Sequence, residues 1–139
     1  MPTLTRWLVK TALVYFVAAL LAGVLLALRP ALDLPPLVAA LQPVYFHLLM
    51  VGWVSQLIFG VVYWMFPKYS SERPRGSERL GWATYWLLNV GLLLRAVGEP
   101  LAATRPGSAA GWLMAVSAGL QLLAGWAFVA NTWARVKKR

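Results

Sequence analysis

The sequence predicts an all-α integral membrane protein, a bundle of four membrane-spanning helices with both termini on the cytoplasmic side. Its apolar content of 60% and mean hydropathy of +0.66 exceed what a soluble domain of 139 residues needs, since such domains are about half apolar. Four apolar runs are each about long enough to cross a bilayer, and lysine and arginine are unevenly distributed around them. We therefore interpret residues 1–139 as a single transmembrane domain.

The four predicted spans cover residues 7–28, 43–66, 80–97 and 109–134. The first ends at Arg29, and we expect a retained helix because this run is longer than the apolar core of about 7–15 residues in a signal peptide. The second span is entered through Pro43 and ends before Pro67. Pro100 is predicted to close the helix of the third span. The hydrophilic stretch KYSSERPRGSER predicts a solvated loop between the second and third spans.

The orientation follows from counting basic residues. Ten of the thirteen Lys and Arg residues belong to the N-terminus, the loop at 68–79 and the C-terminal tail, where Arg135, Lys137, Lys138 and Arg139 end the chain. Positive residues stay in the cytoplasm, so that side is predicted to be cytoplasmic. The net charge of +9 is then explained by topology and by lipid headgroups as partners, and nucleic-acid binding is not expected.

His47, the single histidine of the sequence, lies near the start of the second span and therefore in the outer half of the membrane. An imidazole inside a membrane is costly without a partner, so it marks a functional site. On a regular α-helix its face is aliphatic and carries Met50, Val51, Val54, Ile58, Val61 and Met65. The opposite face is predicted to pack against other helices through Gly52, Gln56, Gly60 and Tyr63.

Imidazole at this depth suits a metal, above all haem iron. A zinc site needs about three protein ligands, whereas haem needs one or two axial ligands and an apolar slot. The sequence has no cysteine and hence no motif for covalent attachment, which predicts non-covalent haem b with His47 as the metal ligand. Met114 and Met50 are candidate further ligands, and Arg95, Arg29 and Arg105 are candidate partners of the propionates.

Other interpretations stay open from the residues alone. His47 could bond a neighbouring carbonyl in a membrane scaffold or accessory subunit without cofactor, and Arg95 could simply form an ion pair with Glu99 one helical turn away. The methionines could fill the core, or Met50 or Met114 could join His47 in a copper site.

The string from His47 to Pro67, HLLMVGWVSQLIFGVVYWMFP, resembles the haem-ligand helix of haem–copper oxidase subunit I. It is most similar to the versions in cbb3-type oxidases, nitric oxide reductases and small relatives, and residues 89–100 resemble the family more loosely. The resemblance implies that His47 binds a haem in a bacterial or archaeal cytoplasmic membrane. Electron transfer, haem handling and binding of O2 or NO are the implied roles, with respiratory-chain proteins as partners.

Two departures from the family pattern matter. The family's active site needs several further histidines on later helices, and this sequence has none, so the resemblance implies haem binding and leaves open whether the chain is an enzyme. Subunit I has twelve helices in three groups of four, which favours a homotrimer of this chain over a dimer that shares one haem between two His47 side chains. In a trimer each iron would take a sixth ligand other than histidine, for which Met114 is the candidate, or keep an open position.

Overall fold

The computed structural model describes residues 1–136, which form helices joined by short loops. Helix α1 is Thr3–Leu28 and the short helix α2 is Pro36–Ala39. The second membrane helix consists of α3 (Leu41–His47), a π-helical segment (Leu48–Ser55) and α4 (Gln56–Met65). Helix α5 is Glu78–Thr104, and α6 (Ser108–Thr132) continues into a 3₁₀ turn, Trp133–Arg135.

Four of these helical stretches are long and apolar enough to cross a membrane, namely Thr3–Leu28, Pro36–Met65, Glu78–Thr104 and Ala109–Arg135. Their outer surfaces are apolar, as at Val14 and Leu21 of α1 and Trp126 of α6, which are all exposed. Exposed apolar surface on this scale is unusual for a soluble monomer. Residues 1–136 therefore confirm the all-helical, four-span prediction.

The helices pack side by side in chain order. Helix α1 runs antiparallel along the second membrane helix, where Leu8 meets Gly60 and Tyr15 meets Gly52. The second membrane helix contacts α5 through α3 and the π-helical segment, and α5 makes its most extensive contact with α6. A buried apolar cluster of Leu4, Leu8, Tyr63 and Tyr85 joins α1, α4 and α5.

The packing face predicted for the second membrane helix is confirmed. Gly52, Gln56, Gly60 and Tyr63 are all buried. A Cβ atom added at Gly52 would lie 2.8 Å from Cγ of Tyr15 and 2.9 Å from Cδ2 of Leu92. Glycine at this position therefore lets both α1 and α5 approach the backbone of the second helix closely.

The prediction that Pro100 closes the third span is wrong, because α5 continues through this residue to Thr104. Proline is tolerated inside membrane helices where neighbouring helices support the backbone around it. Here Gly98 packs against Met114 of α6 and Glu99 is buried, so tertiary contacts hold this turn in place. The consequence is that Glu99 lies inside the helix and not at its end.

The π-helical segment is a second departure from the sequence prediction, which assumed a regular α-helix from His47 onward. Segment Leu48–Ser55 begins at the residue after His47, and the Ser55 hydroxyl donates to the Met50 carbonyl five residues earlier. Since π-helical hydrogen bonds span five residues, side chains beyond Ser55 do not keep an α-helical register with His47. Such segments occur frequently at functional sites.

Helix α6 carries a stripe of small residues, Gly111, Ala115, Ala118 and Gly125, that does not serve as a packing surface within residues 1–136. Ala115 and Ala118 are exposed, and a Cβ added at Gly111 or Gly125 would meet nothing within 4 Å. The packing surface of α6 toward α5 uses other residues, such as buried Ser117 and Ala124. The stripe therefore faces outward.

Arg135 was counted in the sequence as a charge of the C-terminal tail, and this interpretation is incomplete. Its side chain is 1% exposed and donates to the carbonyl oxygens of Tyr63, Phe66 and Pro67 at distances of 2.8–3.2 Å. The guanidinium thus satisfies carbonyls left without partners where the second membrane helix ends. The predicted tail charges Lys137, Lys138 and Arg139 lie outside the described residues.

Candidate functional site

His47 is the last residue of α3 and lies where the second membrane helix meets α5. Its side chain is 31% exposed. The imidazole Nδ1 is 2.9 Å from the carbonyl oxygen of Pro43 and 3.0 Å from Oε1 of Glu99. Both contacts therefore use one ring nitrogen and leave Nε2 for another partner.

Glu99 brings a carboxylate into this part of the bundle. Its side chain is 3% exposed, and Oε1 is also 3.4 Å from Nη1 of Arg95, the residue four positions earlier. The predicted Arg95–Glu99 ion pair is thus confirmed. Within residues 1–136, Oε2 of Glu99 is buried without a hydrogen-bond partner. Buried acceptors are normally paired, so Oε2 is an acceptor that the described chain leaves unused.

Ser117 of α6 ties the cluster to the rest of the bundle. Its hydroxyl accepts a hydrogen bond from Nε of Arg95 at 3.3 Å and donates to the Gly91 carbonyl at 2.7 Å. Nε2 of Gln121 donates to the same hydroxyl at 3.1 Å. Arg95 is therefore held from two directions, by the carboxylate of its own helix and by a side chain of α6.

The sequence prediction did not identify Glu99 as a partner of His47, nor Ser117 as a partner of Arg95. A signal for the first is present in the sequence, because Glu99 is an acidic residue next to the predicted third span, at the end that the charge pattern also assigns to His47. Acidic residues in such positions pair with other polar groups. No comparable signal marks Ser117, since serine is common in membrane helices and bonds its own backbone there.

The other predicted site residues make no described contact with the His47 imidazole or with Glu99. The Met50 side chain is exposed, whereas Met114 packs against α5, with Sδ 3.3 Å from where a Cβ of Gly98 would lie. Arg29 and Arg105 are exposed in the connections at the end of the bundle where His47 lies. Of the predicted residues, the described contacts join Arg95 alone to His47, through Glu99.

The predicted aliphatic face is open and not packed. Met50, Ile58, Val61 and Met65 are exposed, and Val51 and Val54 are half-buried. The first turns after His47 therefore present exposed or half-buried apolar side chains. This surface is free to take an apolar ligand or lipid.

Tyr15 and Gln56 are buried side chains that form hydrogen bonds between helices. The Tyr15 hydroxyl donates to Oδ1 of Asn89 at 2.9 Å, and Nε2 of Gln56 donates to the Leu8 carbonyl at 3.3 Å. Both link α1 to a neighbouring helix, as polar side chains in membrane helices commonly do. By contrast, the cluster of His47, Glu99 and Arg95 places three ionisable groups together.

Fold and site together define a multi-pass membrane protein with a histidine held by a buried carboxylate at one end of its helices. Residues 3–103 match the model of the family described as Cytochrome C and Quinol oxidase polypeptide I. This match covers more than half of the chain, so the chain belongs to that family, subunit I of the haem–copper oxidases, and the predicted resemblance is confirmed. Neither a curated protein nor a solved structure matches the chain.

The residues that match the family model include only part of the candidate site. The match contains His47, Arg95 and Glu99, whereas Met114 and Ser117 on α6 lie beyond its last residue. The family typically binds haem. Within residues 1–136, no group of three or more His, Cys, Asp or Glu side chains is arranged to hold a metal ion. A prosthetic group that brings most of its own metal ligands fits this donor set better than a bare ion does.

Proposed function

We propose that this protein binds haem b non-covalently through Nε2 of His47. The observation that carries the proposal is the geometry of the imidazole, whose Nδ1 is engaged by Glu99 and Pro43 while its side chain stays 31% exposed. An axial ligand needs one free ring nitrogen and a fixed ring orientation. Membership of a family that typically binds haem supports the same assignment.

The surrounding residues fit a haem in three ways. His47 supplies the axial nitrogen, and the apolar side chains of Met50, Val51 and Val54 offer a surface for the macrocycle. Arg95 bonds Glu99 through Nη1 and Ser117 through Nε. We assign its Nη2 to a haem propionate, and Arg29 and Arg105 are further cations at the end of the bundle where His47 lies.

Bound haem would supply a one-electron redox centre or an iron that binds gases. The roles we propose are therefore electron transfer, haem handling, or binding of O2 or NO in a bacterial or archaeal cytoplasmic membrane, with respiratory-chain proteins as partners. His47 is the one histidine of the sequence, so histidine ligation on both sides of an iron requires two chains. Met114 is the proposed sixth ligand within one chain, and the alternative is an open position.

The test is the absorption spectrum of protein purified in detergent, without a histidine tag, from cells supplied with a haem precursor. We expect a Soret band, and a pyridine haemochrome assay that identifies haem b at one equivalent per chain. Protein that shows no Soret band, even after incubation with hemin, would overturn the proposal. If metal analysis finds copper in place of haem, His47 belongs to a copper site. If the protein carries neither haem nor copper, it is a membrane scaffold without cofactor.

The proposed role of Arg95 leads to a further prediction. Replacing it by glutamine removes the charge facing the propionate, and a charge-assisted hydrogen bond contributes about 1.5–3 kcal/mol. We expect Arg95→Gln to accelerate haem transfer to apomyoglobin about tenfold or more. Arg75→Gln, in the loop predicted to be cytoplasmic, is the matched control, and equal transfer rates in the two variants would contradict the assignment.

We also propose that the chain assembles into a homotrimer through the outward stripe of α6. Gly111, Ala115, Ala118 and Gly125 keep the four- and three-residue spacing of a helix–helix seam, and none of them is buried. We expect native mass spectrometry of the detergent-solubilised protein to find three chains per particle. Ala118→Leu should convert the trimer into monomers, whereas the control Ala27→Leu, on the exposed side of α1, should leave it intact. A wild-type monomer with one haem would contradict the trimer and leave the haem site intact.

A further inference from the structure

Glu99 is a buried carboxylate that helix packing alone does not require. The residue as a whole is 5% exposed and lies in a membrane helix, where an unpaired charge is strongly unfavourable. Arg95 lies 3.4 Å from Oε1 and provides a positive partner for the carboxylate within its own helix. The contact with His47 is a hydrogen-bond distance of 3.0 Å between Oε1 of Glu99 and the ring nitrogen Nδ1.

This contact determines which imidazole nitrogen carries the proton. Nδ1 faces two acceptors, the carbonyl oxygen of Pro43 and Oε1 of Glu99, at 2.9 and 3.0 Å. A neutral imidazole has one N–H donor and one acceptor nitrogen, so the proton belongs on Nδ1 and the lone pair on Nε2. Nε2 is then the nitrogen able to bind a metal.

We propose that Glu99 is the positioning residue of the haem ligand, a role that rests on the proposed haem function. By accepting a hydrogen bond from Nδ1–H, it holds the ring of His47 in one tautomer and orientation, and it increases the electron donation of Nε2. Ser117 and Arg95 extend this support to α6, because Arg95 bonds both Ser117 and the carboxylate. Stronger donation by the ligand favours the oxidised iron, so Glu99 lowers the reduction potential of the bound haem.

The first test measures which ring nitrogen of His47 carries the proton in haem-free protein. Since the sequence has a single histidine, uniform ¹⁵N-histidine labelling of tag-free, haem-free protein reports His47 alone by NMR. We expect a protonated Nδ1 and an unprotonated Nε2 in the wild type, and a larger share of Nε2–H in Glu99→Leu. An unchanged tautomer in Glu99→Leu would show that Pro43 suffices and would overturn the role of Glu99.

The second test measures the hemin affinity and the midpoint potential of the haem-loaded protein. Loss of such a partner typically weakens metal affinity roughly 10–100-fold, so Glu99→Gln should bind hemin more weakly by about that factor, and its midpoint potential should rise. Glu99→Asp is expected to retain part of the wild-type potential, since it keeps the charge, and Glu72→Gln, exposed in the loop after α4, should change neither quantity.

The outcomes separate the two proposals. A wild-type protein with the expected tautomer that never takes up haem would overturn the proposed function, although the contact of Glu99 with His47 would stand. A haem-loaded Glu99→Gln protein with wild-type affinity and potential would overturn the positioning role and leave haem binding in place. Thermal unfolding of each variant accompanies both measurements, so that misfolding is distinguished from loss of ligand support.

Discussion

Replacing His47 with glycine is expected to abolish haem binding. The variant removes the only imidazole of the sequence, which has no cysteine either, so no second imidazole or thiolate is present to replace it as the axial ligand. We expect the Soret band of protein purified from haem-supplied cells to disappear, while the helical circular dichroism spectrum stays that of the wild type. The fold should survive, because the imidazole is partly exposed and lies at the edge of the bundle.

Two comparisons keep this result specific. Gln42→Gly removes an exposed side chain from the same helix and should retain haem. Adding imidazole to His47→Gly should restore a Soret band, because the free ligand can occupy the space next to Glu99 that the side chain leaves. A His47→Gly protein with wild-type haem content would show that another residue binds the iron, and the proposed site would be wrong.

Gly52→Ala is expected to lower the stability of the helical bundle. The new methyl group would lie 2.8–2.9 Å from Cγ and Cβ of Tyr15 and from Cδ2 of Leu92. The Tyr15 atoms are close to its backbone and cannot move aside without shifting α1. Overpacking of this kind costs about 1–3 kcal/mol, which outweighs the gain of about 1 kcal/mol in helix propensity from glycine to alanine.

Gly119→Ala is the matched control, because it makes the same change in a membrane helix where a Cβ meets nothing within 4 Å. Thermal unfolding in detergent should show a lower midpoint for Gly52→Ala and an unchanged or higher one for Gly119→Ala. Gly52→Ala should also weaken haem retention, since Gly52 lies in the π-helical segment directly after His47. A midpoint equal to that of the wild type would contradict the close packing of α1, the second helix and α5.

The features that depend on neighbours along the chain were predictable from the sequence. Four apolar runs became four long helices, and the spacing of Gly52, Gln56 and Gly60 indicated the buried face of the second one. The pair of Arg95 and Glu99 was predictable because residues four apart meet on any α-helix. The motif that begins at His47 indicated the family, because its residues form one continuous stretch of the chain.

Local sequence rules failed where tertiary packing outweighs them. Pro100 normally ends a helix, yet α5 continues because α6 supports this turn through contacts such as that of Met114 with Gly98. The π-helical segment after His47 has no proline inside it, and its one glycine, Gly52, fits the predicted packing face, so periodicity alone predicted a regular α-helix. Arg135 looked like one more charge of a basic tail, and its burial depends on the carbonyls at the end of α4 being within reach.

The sequence by itself determined that this chain is a four-span membrane protein of the haem–copper oxidase subunit I family, with one histidine as its candidate ligand. Only the tertiary structure decided how that histidine is held. Glu99 and His47 are on different helices, and their contact requires a particular rotation and axial offset of α5 against the second helix. Close packing at Gly52, where Leu92 of α5 approaches the second helix, favours that arrangement, and Gly98 and Arg95 hold α5 against α6. No short stretch of sequence encodes these contacts.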